Sequence, residues 1–127
     1  MAVFVGSNPI EVPDISDIYV GNQRVYSSKR DVSYSGSFRQ YYSYVTVNGV
    51  QHLSAGSEKV KAGSTISVYV GATTSTYLNY CNVKVNGTTV KTGYGSYDHV
   101  VNKDCTVVMT YHAIGMNGYY TAEITEV

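Results

Sequence analysis

Ser96, Asp98 and His99 carry the residue types of a hydrolytic triad, and His52, His99 and His112 are the three histidines of the chain. A triad needs a carboxylate that orients the imidazole and a hydroxyl within its reach. Successive residues of a strand point to opposite faces, so Asp98 is not placed to orient His99. No Gly-x-Ser-x-Gly elbow is present. Zinc ligands usually arrive as pairs two to four residues apart, and no histidine here has a second His or Cys at that spacing. Cys105 and His112 fall on one expected strand at odd separation, hence on opposite faces. The glycines sit singly at turns, and none opens a helix where phosphate would bind. No catalytic residue, metal site or cofactor is therefore expected.

Two further motifs have structural explanations beside the chemical ones. Asn86-Gly87-Thr88 satisfies the glycosylation acceptor pattern, yet Asn-Gly is also a tight hairpin turn, and the turn is the favoured reading. Cys81 and Cys105 are expected as buried thiols in a cytoplasmic setting, with a disulfide between facing strands left open. The aromatic residues say more. Tyrosine occurs 14 times and tryptophan not at all. Tyr94 and Tyr97 in Gly93–Tyr97, and Tyr119 with Tyr120, place rings near expected loops, as do Tyr41, Tyr42 and Tyr44. Such rings stack on sugar faces or pack on a neighbouring subunit. Without tryptophan, packing is the stronger expectation.

Lys plus Arg equals Asp plus Glu at 9 each, and no block of like charge occurs, which argues against nucleic acid or an anionic membrane as partner. Charged residues make up 14% of the chain, so Ser, Thr, Asn, Gly and Tyr must cover much of the surface. A near-neutral, Tyr-rich surface promotes association and points toward a homo-oligomer. No basic segment followed by an apolar run opens the chain, and no stretch is long and apolar enough to span a bilayer. The expectation is a protein made in a cytoplasm.

The elements that must carry these residues are strands. Residues 1–17 hold both prolines, Pro9 and Pro13, which exclude a helix there. Fully extended, this stretch would reach about 55 Å at roughly 3.3 Å per residue. Val3, Phe4, Val5, Ile10, Val12 and Ile15 are too apolar for an idle tail. An arm lying on a neighbouring surface is favoured, and a first strand folded back on its own domain is the other reading. Ile18–Val20 and Arg24–Tyr26 flank Gly21-Asn22 as a small hairpin, with Ile18, Tyr19, Val25 and Tyr26 as further assembly contacts. Residues 27–38 are polar and small and read as a linker or exposed loop, with Val32 and Tyr34 pairing weakly at an edge. The expected organisation is a docking arm (1–17), a hairpin and linker (18–38), and a β-domain (39–127).

Within residues 39–127, Asn48-Gly49 and Asn86-Gly87 each join two strand signals, and Lys61-Ala62-Gly63 makes another turn. Strands are expected at 58–60, 65–71, 76–85, 97–101, 105–112 and 119–127. Ile66, Val68 and Val70 alternate with Ser67, Tyr69 and Gly71, the period of a strand with one face on a core. Seven or eight such strands predict an all-β, immunoglobulin-like antiparallel β-sandwich, without the Cys…Trp…Cys signature of antibody domains. Val45-Thr-Val-Asn-Gly-Val and Val83-Lys-Val-Asn-Gly-Thr echo one another, and shared hairpin chemistry accounts for the echo.

The phrase Ile15-Ser-Asp-Ile-Tyr-Val-Gly-Asn-Gln-Arg-Val-Tyr26 resembles the opening of small tail, fibre and head-accessory proteins of tailed bacteriophages. Ala62-Gly-Ser-Thr-Ile-Ser-Val, Asn102-Lys-Asp-Cys-Thr-Val and Tyr120-Thr-Ala-Glu-Ile-Thr-Glu resemble immunoglobulin-like domains of phage virion proteins. The resemblance implies a non-enzymatic virion component that attaches to a capsid or tail surface, with other virion proteins and copies of itself as partners. Head decoration or a head-fibre base is favoured over a tail or collar role. A receptor- or polysaccharide-binding module using Tyr94, Tyr97, Tyr119 and Tyr120 on a host-surface glycan is the alternative.

Overall fold

The computed structural model describes the backbone of residues 17–20 and 23–127 and the side chains from residue 28 onward. The expectations for residues 1–16, including Val3, Phe4, Val5, Ile10, Val12 and Ile15, lie outside the described residues. So do those for the side chains of Ile18, Tyr19, Val25 and Tyr26. The small hairpin is present: β1 (Asp17–Val20) pairs antiparallel with β2 (Gln23–Ser27), with a register irregularity between Ile18 and Tyr19. It forms a two-stranded sheet of its own.

Everything after it is all-β in two sheets. β3 (Lys29–Gly36), β6 (Gly56–Lys61), β8 (Asn82–Val85), β9 (Thr88–Thr92), β11 (Cys105–Ile114) and β12 (Asn117–Glu126) form a six-stranded sheet in the order β6-β3-β11-β12-β8-β9. β4 (Ser43–Val47), β5 (Val50–His52), β7 (Ser64–Val70) and β10 (Gly95–Val101) form a four-stranded sheet in the order β10-β7-β4-β5. The inward side chains of both sheets meet in one core: Val32 and Tyr34 of β3, Val45 and Val47 of β4, Ile66, Val68 and Val70 of β7, Val107 and Met109 of β11, Ala122 and Ile124 of β12. Each set is spaced by two, so the alternation that makes these segments strands also builds the sandwich.

Both Asn-Gly turns are formed as expected. Asn48 and Gly49 have φ 52° and 77°, Asn86 and Gly87 have φ 51° and 83°, and they close β4–β5 and β8–β9. Positive φ at both central residues is what a tight hairpin requires.

Three expectations are corrected. The polar stretch 27–38 is not a linker, because β3 lies between β6 and β11 and buries Val32 and Tyr34 completely or nearly so. Its serines face outward, and pairing on both sides overrides its weak strand composition. The expected strand 76–85 divides into a 3-10 helix (Ser75–Tyr80) and β8. There the chain crosses from the smaller sheet to the larger and packs Tyr77 and Leu78 onto the core. Finally, the sandwich has ten strands and not seven or eight, and β3–β11 and β8–β12 pair in parallel.

Candidate functional site

The register of the strands gives the sandwich two poles. At one, Ser28, Ala62, Val101, Asp104 and Asn86 come together: Ala62 N–H donates to Ser28 O, Gly63 N–H to Val101 O and Asn86 N–H to Ile124 O. Lys29, Arg30, Asp31, Lys59, Lys61, Lys103, Asp104 and Glu126 cluster toward this end. Arg30 Nε donates to Asn102 O at 2.9 Å, Asp31 N–H to Asp104 Oδ1 at 2.8 Å, and Lys59 Nζ meets Asp31 Oδ1 at 2.8 Å. At the opposite pole lie the turn after β3, the 3-10 helix, the β9–β10 loop and the β11–β12 turn. They carry Tyr41, Tyr42, Tyr77, Tyr80 and Tyr94, with Tyr44, Tyr69, Tyr111, Tyr119 and Tyr120 on the adjoining strand ends.

Toward the charged pole, two Asn–Glu–His clusters join the sheets. Asn48 Nδ2 donates to Glu58 Oε1 at 3.4 Å, while Glu58 Oε2 lies 2.7 Å from His52 Nε2. Asn86 Nδ2 donates to Glu126 Oε1 at 3.0 Å, while Glu126 Oε2 lies 3.3 Å from His99 Nε2. His52 is on β5 and His99 on β10, the two edge strands of the smaller sheet, and both glutamates belong to the larger one. Both Nε2 atoms are buried, and neither contact is aligned as a hydrogen bond, so the attraction is a close approach of imidazole and carboxylate. Tyr34 adds its hydroxyl to Glu58 Oε2 at 3.3 Å and packs against the His52 ring at 4.8 Å. Burial first, then the Glu58 carboxylate, raises the Tyr34 phenol.

The second cluster sits beside Cys105, which superficially supplies the parts of a thiol nucleophile. Burial, then the negative charges of Glu126 and Asp104, pushes that thiol up to about 11. A nucleophilic cysteine needs the reverse shift. Cys81, at the other pole, is raised by burial too, and both cysteines are free thiols. The open question of a disulfide is thus answered by two separate buried thiols. Asp98 is exposed and His99 buried, as strand alternation requires, and His99 turns instead to Glu126. Among the described residues, no three His, Cys, Asp or Glu side chains gather as metal ligands would. No described helix is long and apolar enough to cross a membrane.

The four tyrosines expected on binding loops do not converge. Tyr94 is exposed in the β9–β10 loop. Tyr97 lies within β10 and packs against the core, and Tyr120 is buried at 5% exposure against Tyr111, ring centroids 4.8 Å apart. Successive residues alternate faces, so Tyr119 turns to the opposite face of the larger sheet from Tyr120, half-buried and still packed partly against the core. There it stacks on His112, its direct partner across β11–β12, with centroids 4.6 Å apart and planes 16° apart. Tyr80 meets it edge-on at 5.4 Å.

Below this aromatic pile the outer faces of β11, β12 and β8 form a groove of about 280 Å³ lined by Asn82, Lys84, Thr110, His112, Tyr119, Thr121, Ala122 and Glu123. His112 Nε2 is fixed against Thr121 Oγ1 at 3.0 Å. Asn82, Lys84, Thr110, Thr121 and Glu123 were not singled out in the sequence, and His112 was weighed there only as a metal ligand, although an alternating Thr-x-His and a Tyr-x-Thr-x-Glu on adjacent strands would have marked a shared polar face. No protein-family model, no curated protein and no solved structure matches this chain.

Proposed function

We propose that this chain is a non-enzymatic structural protein of a tailed-bacteriophage virion. Residues 1–17 dock on the capsid or tail surface, with Ile18–Tyr26 as the joint. The immunoglobulin-like sandwich is displayed beyond it, in a head-decoration or head-fibre-base role ahead of a tail or collar role. The protein is made in the host cytoplasm and carried on the particle beside other virion proteins and copies of itself.

The observation that supports this reading most is the polarity of the sandwich. The chain enters β3 at Ser28, on the charged pole, while the exposed tyrosines gather at the far end. A module held at its entry pole would present that far end outward. An apolar arm that orders on a neighbour adds contact area beyond what the globular part supplies.

Deleting residues 1–17 tests it. The truncated protein is expected to remain soluble and folded, with an unchanged β-rich circular dichroism spectrum, and to be lost from particles purified after infection of a host that supplies it in trans. Normal incorporation of the truncated chain would remove the arm from the proposal.

A further inference from the structure

We propose that the groove on the outer face of β11, β12 and β8 is a carbohydrate-binding site sized for one hexose unit. It moves the sugar-binding alternative from the loops to a sheet face, and it does not depend on a virion location.

The groove volume of about 280 Å³ lies just below the range for drug-sized ligand sites, which fits a single small ring. Its wall is aromatic and fixed in place: Tyr119 is held between His112 and Tyr80, and His112 is held by Thr121. Rings positioned this way lose little freedom when a ligand packs against them. The rest of the lining offers hydroxyl, amide, ammonium and carboxylate groups. Lys84 and Glu123 are register partners on β8 and β12. Among the described residues, no hydrogen bond or ion pair engages the side chains of Lys84, Thr110 or Glu123.

The balance of groups decides the ligand class. One ammonium beside one carboxylate gives no net field for a phosphate or a polyanion. A lining this polar has no use for a lipid or an apolar drug-like molecule. A pyranose has an apolar C–H face for an aromatic wall and hydroxyls that each donate and accept. It can therefore engage Glu123 and Lys84 together with the Asn82 amide.

The test is titration of the 15N-labelled full chain with the methyl glycosides of glucose, galactose, mannose and N-acetylglucosamine, followed by amide chemical shifts. At least one glycoside is expected to shift amides of β8, β11 and β12 around the groove, with Kd on the order of 1 mM. Asn82→Ala combined with Glu123→Gln should weaken that binding about tenfold or more while leaving the rest of the spectrum in place. Glu123 is exposed and neither residue is in the core, so the fold survives. Absence of groove shifts with all four glycosides overturns the proposal, as does binding that the double variant retains. If glycine or a dipeptide shifts the groove and no glycoside does, Lys84 and Glu123 read a zwitterion and the carbohydrate assignment falls. Particle incorporation of the double variant reports on the virion reading separately, since the groove is remote from residues 1–17 in sequence and lies on β8, β11 and β12.

Discussion

At the pole where Lys29, Lys61 and Asp104 gather, Arg30–Asn102 and Asp31–Asp104 fasten the strand ends, and the two Asn–Glu–His clusters bridge the sheets. At the opposite pole the only loop cation among the described residues is Arg39, which lies over the Tyr42 ring at 5.3 Å, and Tyr41, Tyr80 and Tyr94 are left exposed. Both ends close the same sandwich, the charged end with connections of two or three residues (48–49, 62–63, 86–87, 102–104) and the tyrosine end partly with longer ones (37–42 and 71–81). The charged end holds the two layers in register through partly buried polar contacts, which leaves the tyrosine end free to carry rings that stability does not require. That division of labour can be broken experimentally.

The largest effect is expected from Glu126→Ala. It removes the carboxylate from His99, whose side chain is 9% exposed, and the acceptor from Asn86. The His99 imidazole stays buried without the carboxylate beside it, and Asn86 loses its hydrogen-bond acceptor. Urea unfolding should show a loss of roughly 2–4 kcal/mol. Glu58→Ala works at the opposite edge of the smaller sheet, where His52 and Glu58 are 20% and 30% exposed. Solvent screens that pair, and the expected loss is about 1–2 kcal/mol. Equal losses would mean that burial does not rank the clusters.

A pH experiment examines the same end. Cys105 rises from 9.0 to about 11 on folding, first through burial. Between those two values the folded state keeps the proton that the unfolded state releases, so stability falls as pH rises through this window. The loss at pH 11 is at most about 2–3 kcal/mol, and Cys105→Ala should flatten the slope. If the variant and the parent follow the same alkaline curve, the thiol does not contribute to it.

How much of this could be read from residues alone depends on the distance over which each signal acts. β7 was legible because Ile66, Val68 and Val70 alternate with polar neighbours, and the two hairpins because Asn-Gly fixes a backbone that few other pairs adopt. β3 was not, since a run of serines with Val32 and Tyr34 lacks strand character until β6 and β11 pair on both its sides. The 3-10 helix was not, because six residues without caps leave no periodic trace. The clusters were half legible. The echoed Val-x-Val-Asn-Gly marked Asn48 and Asn86, but Glu126 lies 40 residues from Asn86, and only the closed sandwich brings His99 to it. The groove escaped notice for the same reason: β8 and β12 are brought side by side in parallel by a topology that no local pattern encodes.

The smallest effect, and the one that tests the tyrosine end most directly, is expected at Tyr41. Its φ is 76°, a conformation that bulky residues rarely adopt, within a turn where Tyr42 N–H and Ser43 N–H both donate to Arg39 O. The ring is 73% exposed, so packing does not explain why a tyrosine occupies the position. Asparagine accepts this backbone more readily, and Tyr41→Asn should stabilise the protein by about 0.5 kcal/mol in urea unfolding. Such a gain would show that the fold does not need the ring at this position. A loss of more than about 1 kcal/mol in that variant would show instead that the ring supports the sandwich, and the contrast between a fastened pole and a free one would no longer hold.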